Sequence, residues 1–345
     1  MPVSSVSSRL GAPECTISQF LHKRYCVTRI IRSHTTYQLL KVVDAIANDV
    51  KIVKVVSRTL IGDRKISGNI AWLRSKRTAD GRHSVFMDDF KTSSLWYLVF
   101  KEPRATLRDI LHGGKLSPLP PRHIRQISSQ IISALISLHR QSILHLAIEP
   151  QHIEVTDQST VTEHVYDSSG VFVERVILRR PEIALVFFGD AATSRDASRG
   201  DERYRAPEVV FGWVSKYRTD NFSVGCVFWE MLKGRPLFPP CPEGQYHVKA
   251  KAHMYRALLG DYPDDVRVRA SQMNKGLFRP GSGELTSMRD VPENVKNVVR
   301  GLADVEGEIE DEGASEVFAN LTMISVKERS PLRDILHFSY FERKD

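Results

Sequence analysis

The chain contains 345 residues, 41% of them hydrophobic and 26% charged, so it can bury a sizeable core and is too long for one compact unit. Its formal net charge of +8 resides in residues 1–100, where 16 Lys and Arg outnumber 7 Asp and Glu. No run approaches the roughly 18 to 20 apolar residues of a membrane span. The amino-terminal sequence, MPVSSVSSRLGAPE, lacks an apolar signal core, so we expect an intracellular protein of the nucleus or cytoplasm, not a membrane protein.

The basic charge of the first hundred residues has two interpretations. A basic surface can attract nucleic acid or an acidic protein surface, and it can also be an ordinary solvated face. The segment shows no aromatic residues interleaved with the charges and no known nucleic-acid motif. The solvated face is favoured, and nucleic acid is not expected as a partner.

The first hundred residues are predicted to contain several β-strands. Residues 1–20 are polar and expected to be flexible, and residues 24–44 predict two strands joined by a polar turn. The run VKIVKVV, Val50–Val56, is rich in β-branched residues and predicts a third strand. A later apolar strand ends at Phe100.

An amphipathic helix is predicted next, over residues 120–140. Apolar side chains recur there at three- and four-residue steps, at Ile124, Ile127, Ile131, Leu135 and Leu138. This spacing places them on one face of a helix.

Five sequence blocks follow this helix in a fixed order. They are SILHLAIEPQHIEV (142–155), IALVFFGDAA (183–192), RYRAPEVV (203–210), DNFSVGCVFWEML (220–232) and VKERSPLRDILHFSYF (326–341). In order and spacing they resemble the catalytic loop, the metal-binding segment, the end of the activation segment, the central helix and the carboxy-terminal helices of the protein kinase family. The resemblance covers more than half of the chain.

The resemblance implies an α+β, bilobal fold with a small β-rich lobe and a larger, mainly helical lobe. It places the small lobe at residues 21–100, the hinge at 101–104 and the large lobe at 105–345. Structural roles are expected for His145, Pro150, Gly189, Glu208, Asp220 and Arg329, which match family positions. Among these, Glu208 is expected to pair with Arg329.

The positions that carry the chemistry differ from the family. Ala147 stands where the family has the aspartate that accepts the substrate proton, and His152 and Phe187 replace the two magnesium ligands. Glu149 replaces the lysine of the catalytic loop. The methyl group of Ala147 cannot accept a proton, and the phenyl ring of Phe187 offers no lone pair to Mg²⁺, a hard cation that prefers oxygen ligands. No catalytic residue and no metal site are therefore predicted.

The nucleotide-binding positions are altered as well. The three glycines of the phosphate lid correspond to Arg32, His34 and Tyr37, whose side chains obstruct close approach of phosphate to the backbone. The resemblance implies a helix around residues 66–73 that carries the glutamate holding the nucleotide lysine, and Asn69 stands at the position of that glutamate.

Two lysines of the third strand compete for the nucleotide-contacting position. Lys51 is preferred, with Lys54 as the alternative, and the hinge residues Phe100, Lys101 and Glu102 complete the nucleotide-binding set that the resemblance implies. Both lysines could also be ordinary strand residues that face solvent.

Finer matches resemble the LAMMER or Cdc2-like branch of the CMGC Ser/Thr kinases, which phosphorylate Arg-Ser-rich proteins. They include the insertion between His152 and Pro181, the tripeptide Tyr204–Ala206, and HMYRALLGDYP from His253. Arg256 and Ala257 stand where that branch has Glu-Arg.

Together these features predict a pseudokinase that serves as a scaffold or as an allosteric partner of an active kinase. The alternatives are a weak or unconventional LAMMER-type Ser/Thr kinase and a nucleotide sensor without turnover. No cofactor is expected to be required: ATP binds weakly at most, and Mg²⁺ is not expected. The expected partner is a protein, either an active kinase or an Arg-Ser-rich protein. The acidic stretch EGEIEDEGASE, residues 306–316, is interpreted as a solvated linker or as a contact for a basic surface.

Overall fold

The computed structural model divides the chain into two compact units. The first comprises the residues up to Arg104 together with Val186, and the second comprises Ala105–Leu185 and the residues from 200 onward. The structure describes residues 13–33, 37–62, 70, 86–114, 116–140, 142, 144–166, 169–186, 200–213, 217–241, 244–305 and 307–343.

The first unit is a six-stranded antiparallel sheet in the order β1-β2-β3-β4-β6-β5. Its elements are β1 (Phe20–Leu21), β2 (Tyr25–Ser33), β3 (Tyr37–Asp44), β4 (Asp49–Ser57), the short helix α1 (Arg58–Ile61), β5 (Phe86–Lys91) and β6 (Leu95–Lys101). The β-branched run of β4 lies in the middle of this sheet, between β3 and β6, where both faces are covered and β-branched side chains pack well.

One face of this sheet carries the core of the first unit. Leu40, Val42, Val53, Val55 and Val99 are each at most 1% exposed and pack together. The amino-terminal residues add to this core: the Cys15 side chain is buried in it, and the Cys15 N–H donates to Gln38 Oε1 over 2.7 Å. Cys15 belongs to the segment that the sequence suggested was flexible, while residues 1–12 lie outside the described residues.

The second unit is mainly helical. Its helices are α2 (Leu107–His112), α3 (Pro121–His139), α4 (Pro207–Val210), α5 (Arg218–Lys233), α6 (His247–Leu259), α7 (Asp264–Met273), α8 (Glu293–Arg300), α9 (Glu312–Thr322), α10 (Leu332–Ile335) and α11 (Ser339–Glu342). Two 3₁₀ turns, Pro150–His152 and Glu202–Tyr204, and two small antiparallel ribbons complete it. The ribbons pair β7 (Ile153–Val155) with β10 (Ile183–Leu185), and β8 (Thr160–Tyr166) with β9 (Phe172–Leu178).

Helix α5 is the centre of this unit. Thirteen of its 16 residues are buried, so it is covered on nearly all sides. Gly225 allows α9 to approach closely, because a Cβ at this position would lie 2.5 Å from Thr322 Cγ2 and 3.0 Å from Leu321 Cβ. A side chain there would force the two helices apart.

Helix α3 spans Pro121–His139, as the apolar stripe predicted. Each of the five stripe residues is at most 3% exposed, which confirms the predicted buried face. In the described part of the chain, no helix combines the length and the apolar character needed to cross a membrane.

His123 on α3 makes stability depend on pH. Its ring is buried, and burial lowers its pKa from 6.5 to about 4, with Arg122 acting in the same direction and Glu163 against it. The imidazole of His123 binds a proton more tightly in the unfolded chain than in the folded one. The free energy of unfolding is therefore unaffected by this group above pH 6.5 and decreases as the pH falls from 6.5 towards 4. We expect a loss of about 3 kcal/mol over this window.

Urea denaturation between pH 7 and pH 4.5 checks this expectation. His123→Phe should flatten the pH dependence relative to the unmodified chain, whereas His337→Phe, at an exposed ring, should leave it unchanged. Equal pH dependence in the His123→Phe variant and the unmodified chain would show that other groups carry the acid sensitivity.

Candidate functional site

The two candidate lysines of β4 lie on opposite faces of the sheet. Alternate residues of a strand point to opposite sides, so Lys51 shares a face with Val53 and Val55 of the core. Its ammonium contacts the carboxylate of Asp49, two residues earlier. Lys54 lies on the other face and is 2% exposed.

Phe100 lies on the Lys54 side of the sheet. It pairs directly with Ile52, and directly paired residues of an antiparallel ladder point to the same face. The structure therefore does not bring Lys51 together with Phe100, and of the two candidate lysines it is Lys54 that lies on the Phe100 side of the sheet. Sequence register alone could not decide this, because both lysines fit a β-branched strand.

Tyr37 occupies the space beside Lys54. It stands at the third glycine position of the family's phosphate lid, and its ring centroid lies 4.4 Å from Lys54 Nζ, within cation–π range. Phe100 is fully buried and meets Phe86 edge to face, with 5.8 Å between the ring centroids. Lys54 and Phe100 thus each have an aromatic ring as a neighbour, Tyr37 and Phe86 respectively.

The hinge candidates have ordinary surroundings. Lys101 is the last residue of β6 and is exposed. Glu102 forms an ion pair with Lys41, with 2.6 Å between Lys41 Nζ and Glu102 Oε1. His34 and Asn69, which the sequence placed in the phosphate lid and the lysine-supporting helix, lie outside the described residues, as do Phe187 and Gly189.

The loop after α3 is anchored to α5 by one carboxylate. Asp220 Oδ2 accepts the N–H of His145 over 2.9 Å, and Asp220 Oδ1 accepts the N–H of Leu146 over 2.7 Å. His139 Nε2 lies 2.9 Å from the same carboxylate. Leu146 has φ +60°, a left-handed conformation that is costly for leucine. The anchoring holds the loop in this conformation.

Ala147 and His152 offer no group that is set up for phosphoryl transfer. Ala147 presents only a buried methyl group. His152 is also buried, and its Nδ1 lies 2.8 Å from the carbonyl oxygen of Ala147 and 3.0 Å from Glu149 Oε1. Pro150 begins the 3₁₀ turn that holds His152 in this position. The ring of His145 is buried 6.4 Å from that of His152.

Glu149 forms the polar centre of the loop, a role that the sequence did not reveal. Its side chain is 1% exposed, and Oε2 accepts the N–H of Asp201 over 2.6 Å, while Oε1 accepts from Gln151 Nε2 over 2.5 Å. A carboxylate that is buried must be satisfied by hydrogen bonds. Glu149 therefore ties the loop to the segment that begins at Gly200.

Gly200 packs directly against Ala147. A Cβ at Gly200, whose φ is +77°, would lie 3.2 Å from Ala147 Cα and 3.3 Å from Ala147 Cβ. The cavity lined by Ala147, Glu149 and Gly200 measures only about 20 Å³. That is room for about one water molecule and not for a substrate side chain.

The segment after Gly200 is fixed to α5 by a second carboxylate. Glu230 accepts a hydrogen bond from the Tyr204 hydroxyl over 2.6 Å and lies 2.9 Å from His112 Nε2. Burial and the neighbouring Glu230 raise the pKa of Tyr204 well above its usual range. The tyrosine therefore remains a hydrogen-bond donor at all physiological pH values.

Glu208 and Arg329 form a bidentate ion pair. Arg329 Nη1 and Nη2 lie 2.7 Å from Glu208 Oε1 and Oε2, and both side chains are at most 1% exposed. Arg329 also donates to the carbonyl oxygens of Met323, Arg218 and Ile324. This network fixes the end of α9 to the start of α4 and α5.

Within the described part of the chain, no group of three or more His, Cys, Asp or Glu side chains could hold a metal ion. The loop and the segment after Gly200 form a tightly bonded platform. Their carboxylates accept hydrogen bonds from the protein itself.

Comparison with known proteins identifies related chains. The family model for the protein kinase domain matches residues 40–341. Homeodomain-interacting protein kinase 4 of Mus musculus is 28% identical over 194 residues, which is 54% of this chain and 29% of that protein. Dual specificity protein kinase lkh1 of Schizosaccharomyces pombe is 23% identical over 202 residues, 57% of this chain and 28% of that protein. The chain thus spans less than a third of the length of these two relatives.

A shorter relative is covered more fully. Cyclin-dependent kinase 4 of Rattus norvegicus is 27% identical over 248 residues, 72% of this chain and 69% of that protein. The crystal structure of the PF14_0431 kinase domain superposes with a TM-score of 0.73 at 18% identity and covers 97% of this chain and 100% of that chain. This likeness confirms the predicted α+β kinase fold, with a β-sheet amino-terminal lobe and a helical carboxy-terminal lobe.

Proposed function

We propose that this chain, which belongs to the protein kinase family and has CMGC-like relatives, is a pseudokinase that acts as a scaffold or as an allosteric partner of an active kinase. The observation that carries the proposal is the catalytic loop. The loop keeps its anchor on Asp220, yet it presents the methyl group of Ala147 where a proton acceptor is needed.

The replacements around Ala147 support the same conclusion. Glu149 introduces a negative charge where the family uses a lysine to neutralise phosphate, and its oxygens already accept bonds from Asp201 and Gln151. A carboxylate repels the transferring phosphoryl group instead of stabilising it. General base assistance alone is worth roughly 10²–10⁴ in rate. Rate losses at residues that act as one catalytic unit are not additive, so the individual factors do not multiply.

Cofactor use follows from the same residues. His152 and Phe187 replace the two metal ligands, so Mg²⁺ is not required for the proposed role. Lys54 is the basic residue best placed to contact nucleotide, and the ring of Tyr37 lies beside its ammonium. We expect ATP to bind weakly or not at all.

A LAMMER-type Ser/Thr kinase is the second candidate. The similarity to dual specificity protein kinase lkh1 and to serine/threonine-protein kinase AFC3 of Arabidopsis thaliana favours it, at 23% identity in each case. The ribbon of β8 and β9 lies within the insertion that suggested this branch. Activity would require carboxylates outside the family positions to bind the metal.

One assay separates the two candidates. Purified protein with γ-labelled ATP, Mg²⁺ or Mn²⁺ and an Arg-Ser-rich peptide should transfer no phosphate above a control without protein. The rise in the unfolding midpoint on titration with ATP should be absent or small, because a ligand that binds the folded state stabilises it by RT ln(1 + [L]/Kd), which is small when the ligand binds weakly.

The two strand lysines provide matched controls for this assay. Phosphate transfer by the unmodified chain and by Lys51→Met, but not by Lys54→Met, would overturn the pseudokinase proposal. It would support the LAMMER-type kinase instead. A thermal shift that Lys54→Met alone removes, without transfer, would instead support a nucleotide sensor.

The partner of the scaffold is proposed to be a protein. An active kinase or an Arg-Ser-rich protein fits the family relationship, and a role in the nucleus or cytoplasm follows from either. Affinity capture with the intact chain, followed by mass spectrometry, tests this; recovery of nucleic acid or membrane components in place of a kinase or an Arg-Ser-rich protein would contradict it.

A further inference from the structure

A groove of about 420 Å³ lies on the second unit and shares no lining residue with the catalytic-loop cavity. It is bounded by the end of α6, the end of α9 and the segments around Val305 and Met323. Its volume falls within the range of roughly 300–1,000 Å³ that is typical of ligand-binding pockets. The family's catalytic chemistry does not use it, and the Glu208–Arg329 network touches it only through the backbone carbonyl oxygens of Met323 and Ile324.

The floor of the groove is apolar and already in place. Leu258, Val305, Ile309, Phe318 and Ile324 line it, and each is at most 9% exposed. Phe318 packs against Trp229 of α5, with 5.2 Å between the ring centroids. The N–H of Val305 donates to the carbonyl oxygen of Leu258 over 3.3 Å. A preformed floor reduces the ordering cost of binding.

The rim of the groove is acidic. Asp261, Asp304 and Glu328 belong to its lining, and no Lys or Arg does among the residues that the structure describes. The sequence from 304 to 316 contains seven Asp and Glu and no Lys or Arg, and of these acids Glu308 pairs with Arg235 and Asp311 with Arg343. Asp261 pairs with Arg256, with 2.7 Å between Nε and Oδ1, but this pair is exposed and weakly held.

These two properties define the chemistry of an occupant. The apolar floor favours a large aliphatic or aromatic side chain, since burial of apolar surface drives association. The acidic rim repels anions such as phosphorylated peptides and raises the local concentration of cations. Charge complementarity therefore selects a basic segment with an apolar anchor.

We propose that this groove binds a basic peptide segment of a partner protein, with one or two large apolar side chains inserted on the floor and Lys or Arg side chains at the acidic rim. The proposal does not depend on whether the chain transfers phosphate. It identifies a surface through which a scaffold could hold its partner.

Fluorescence anisotropy of the intact chain with short labelled peptides tests the chemistry. The probe is a peptide of arginines that flank two leucines, and the matched peptides replace either the leucines by serine or the arginines by glutamate. We expect the probe to bind. The affinity of each matched peptide should be lower than that of the probe by a factor of about ten or more. Equal affinity for the leucine and serine peptides would overturn the proposal, because charge alone would then explain binding.

Variants of the groove test its location. Ala319→Trp adds volume to the lining and Glu328→Lys reverses a rim charge, so each should weaken probe binding about tenfold or more. Met323→Ser serves if Ala319→Trp does not fold, since Met323 is an exposed lining residue. Glu284→Lys is the charge-matched control outside the groove and should leave the affinity unchanged. A loss in Glu284→Lys equal to that in Glu328→Lys, or full binding by the Ala319 or Met323 variant, would place the site elsewhere and reject the proposal.

Discussion

Replacing Arg329 by methionine should lower the free energy of unfolding by about 3–5 kcal/mol, because it leaves the carboxylate of Glu208 buried without its partner. Glu208 is 1% exposed, and without Arg329 its carboxylate still accepts the hydroxyl of Thr219, 3.0 Å from Oε1, but no longer faces a positive charge at this contact. The carbonyl oxygens of Met323, Arg218 and Ile324 lose their donor as well.

Chemical denaturation followed by tryptophan fluorescence measures this loss. Arg333→Met is the matched control, since the Arg333 side chain is 79% exposed and its ion pair with Asp334 should contribute little. A second comparison uses the double variant Glu208→Leu with Arg329→Met. Removing both charges avoids the orphaned carboxylate, so part of the loss should be recovered, although the three carbonyl oxygens remain without their donor.

Equal unfolding free energies for Arg329→Met and Arg333→Met would contradict the burial of this pair. A double variant less stable than Arg329→Met would show that the orphaned carboxylate of Glu208 is not the source of the loss, because the carbonyl contacts of Arg329 are absent from both variants. Either result is decided by the same denaturation curves.

Features that repeat along the chain could be predicted from the sequence. The stripe from Ile124 to Leu138 fixes a helix and its buried face, because the helical period is a property of the chain itself. The Glu208–Arg329 partnership was inferred from the family resemblance, and the two side chains are in contact.

Features that depend on which face of an element is covered could not be predicted. Lys51 and Lys54 both suit a strand, and only the pairing of Ile52 with Phe100 shows which lysine lies on the Phe100 side. Glu149 looked like a simple loss of a lysine, yet it is a buried acceptor for the N–H of Asp201. That contact joins residues 52 positions apart, and nothing local in the sequence reports it.

Asp220→Asn should lower the free energy of unfolding by about 2–3 kcal/mol, because an amide can accept a hydrogen bond through only one of its two terminal atoms. The carboxylate of Asp220 accepts from the N–H groups of both His145 and Leu146, so one buried N–H loses its acceptor. Denaturation curves measure the change, with Asp334→Asn as a control at an exposed carboxylate.

His139→Leu separates the backbone contacts of Asp220 from its side-chain contact. This variant removes only the imidazole, 2.9 Å from Asp220 Oδ2, and retains both backbone acceptors, so the expected loss is about 1 kcal/mol. Leu146, at φ +60°, should then keep its conformation, whereas in Asp220→Asn its left-handed backbone loses support and amide hydrogen exchange around Ala147 should accelerate. If His139→Leu were as destabilising as Asp220→Asn and exchanged equally fast, the imidazole would be the anchor, and the catalytic loop would owe its conformation to α3 instead of α5.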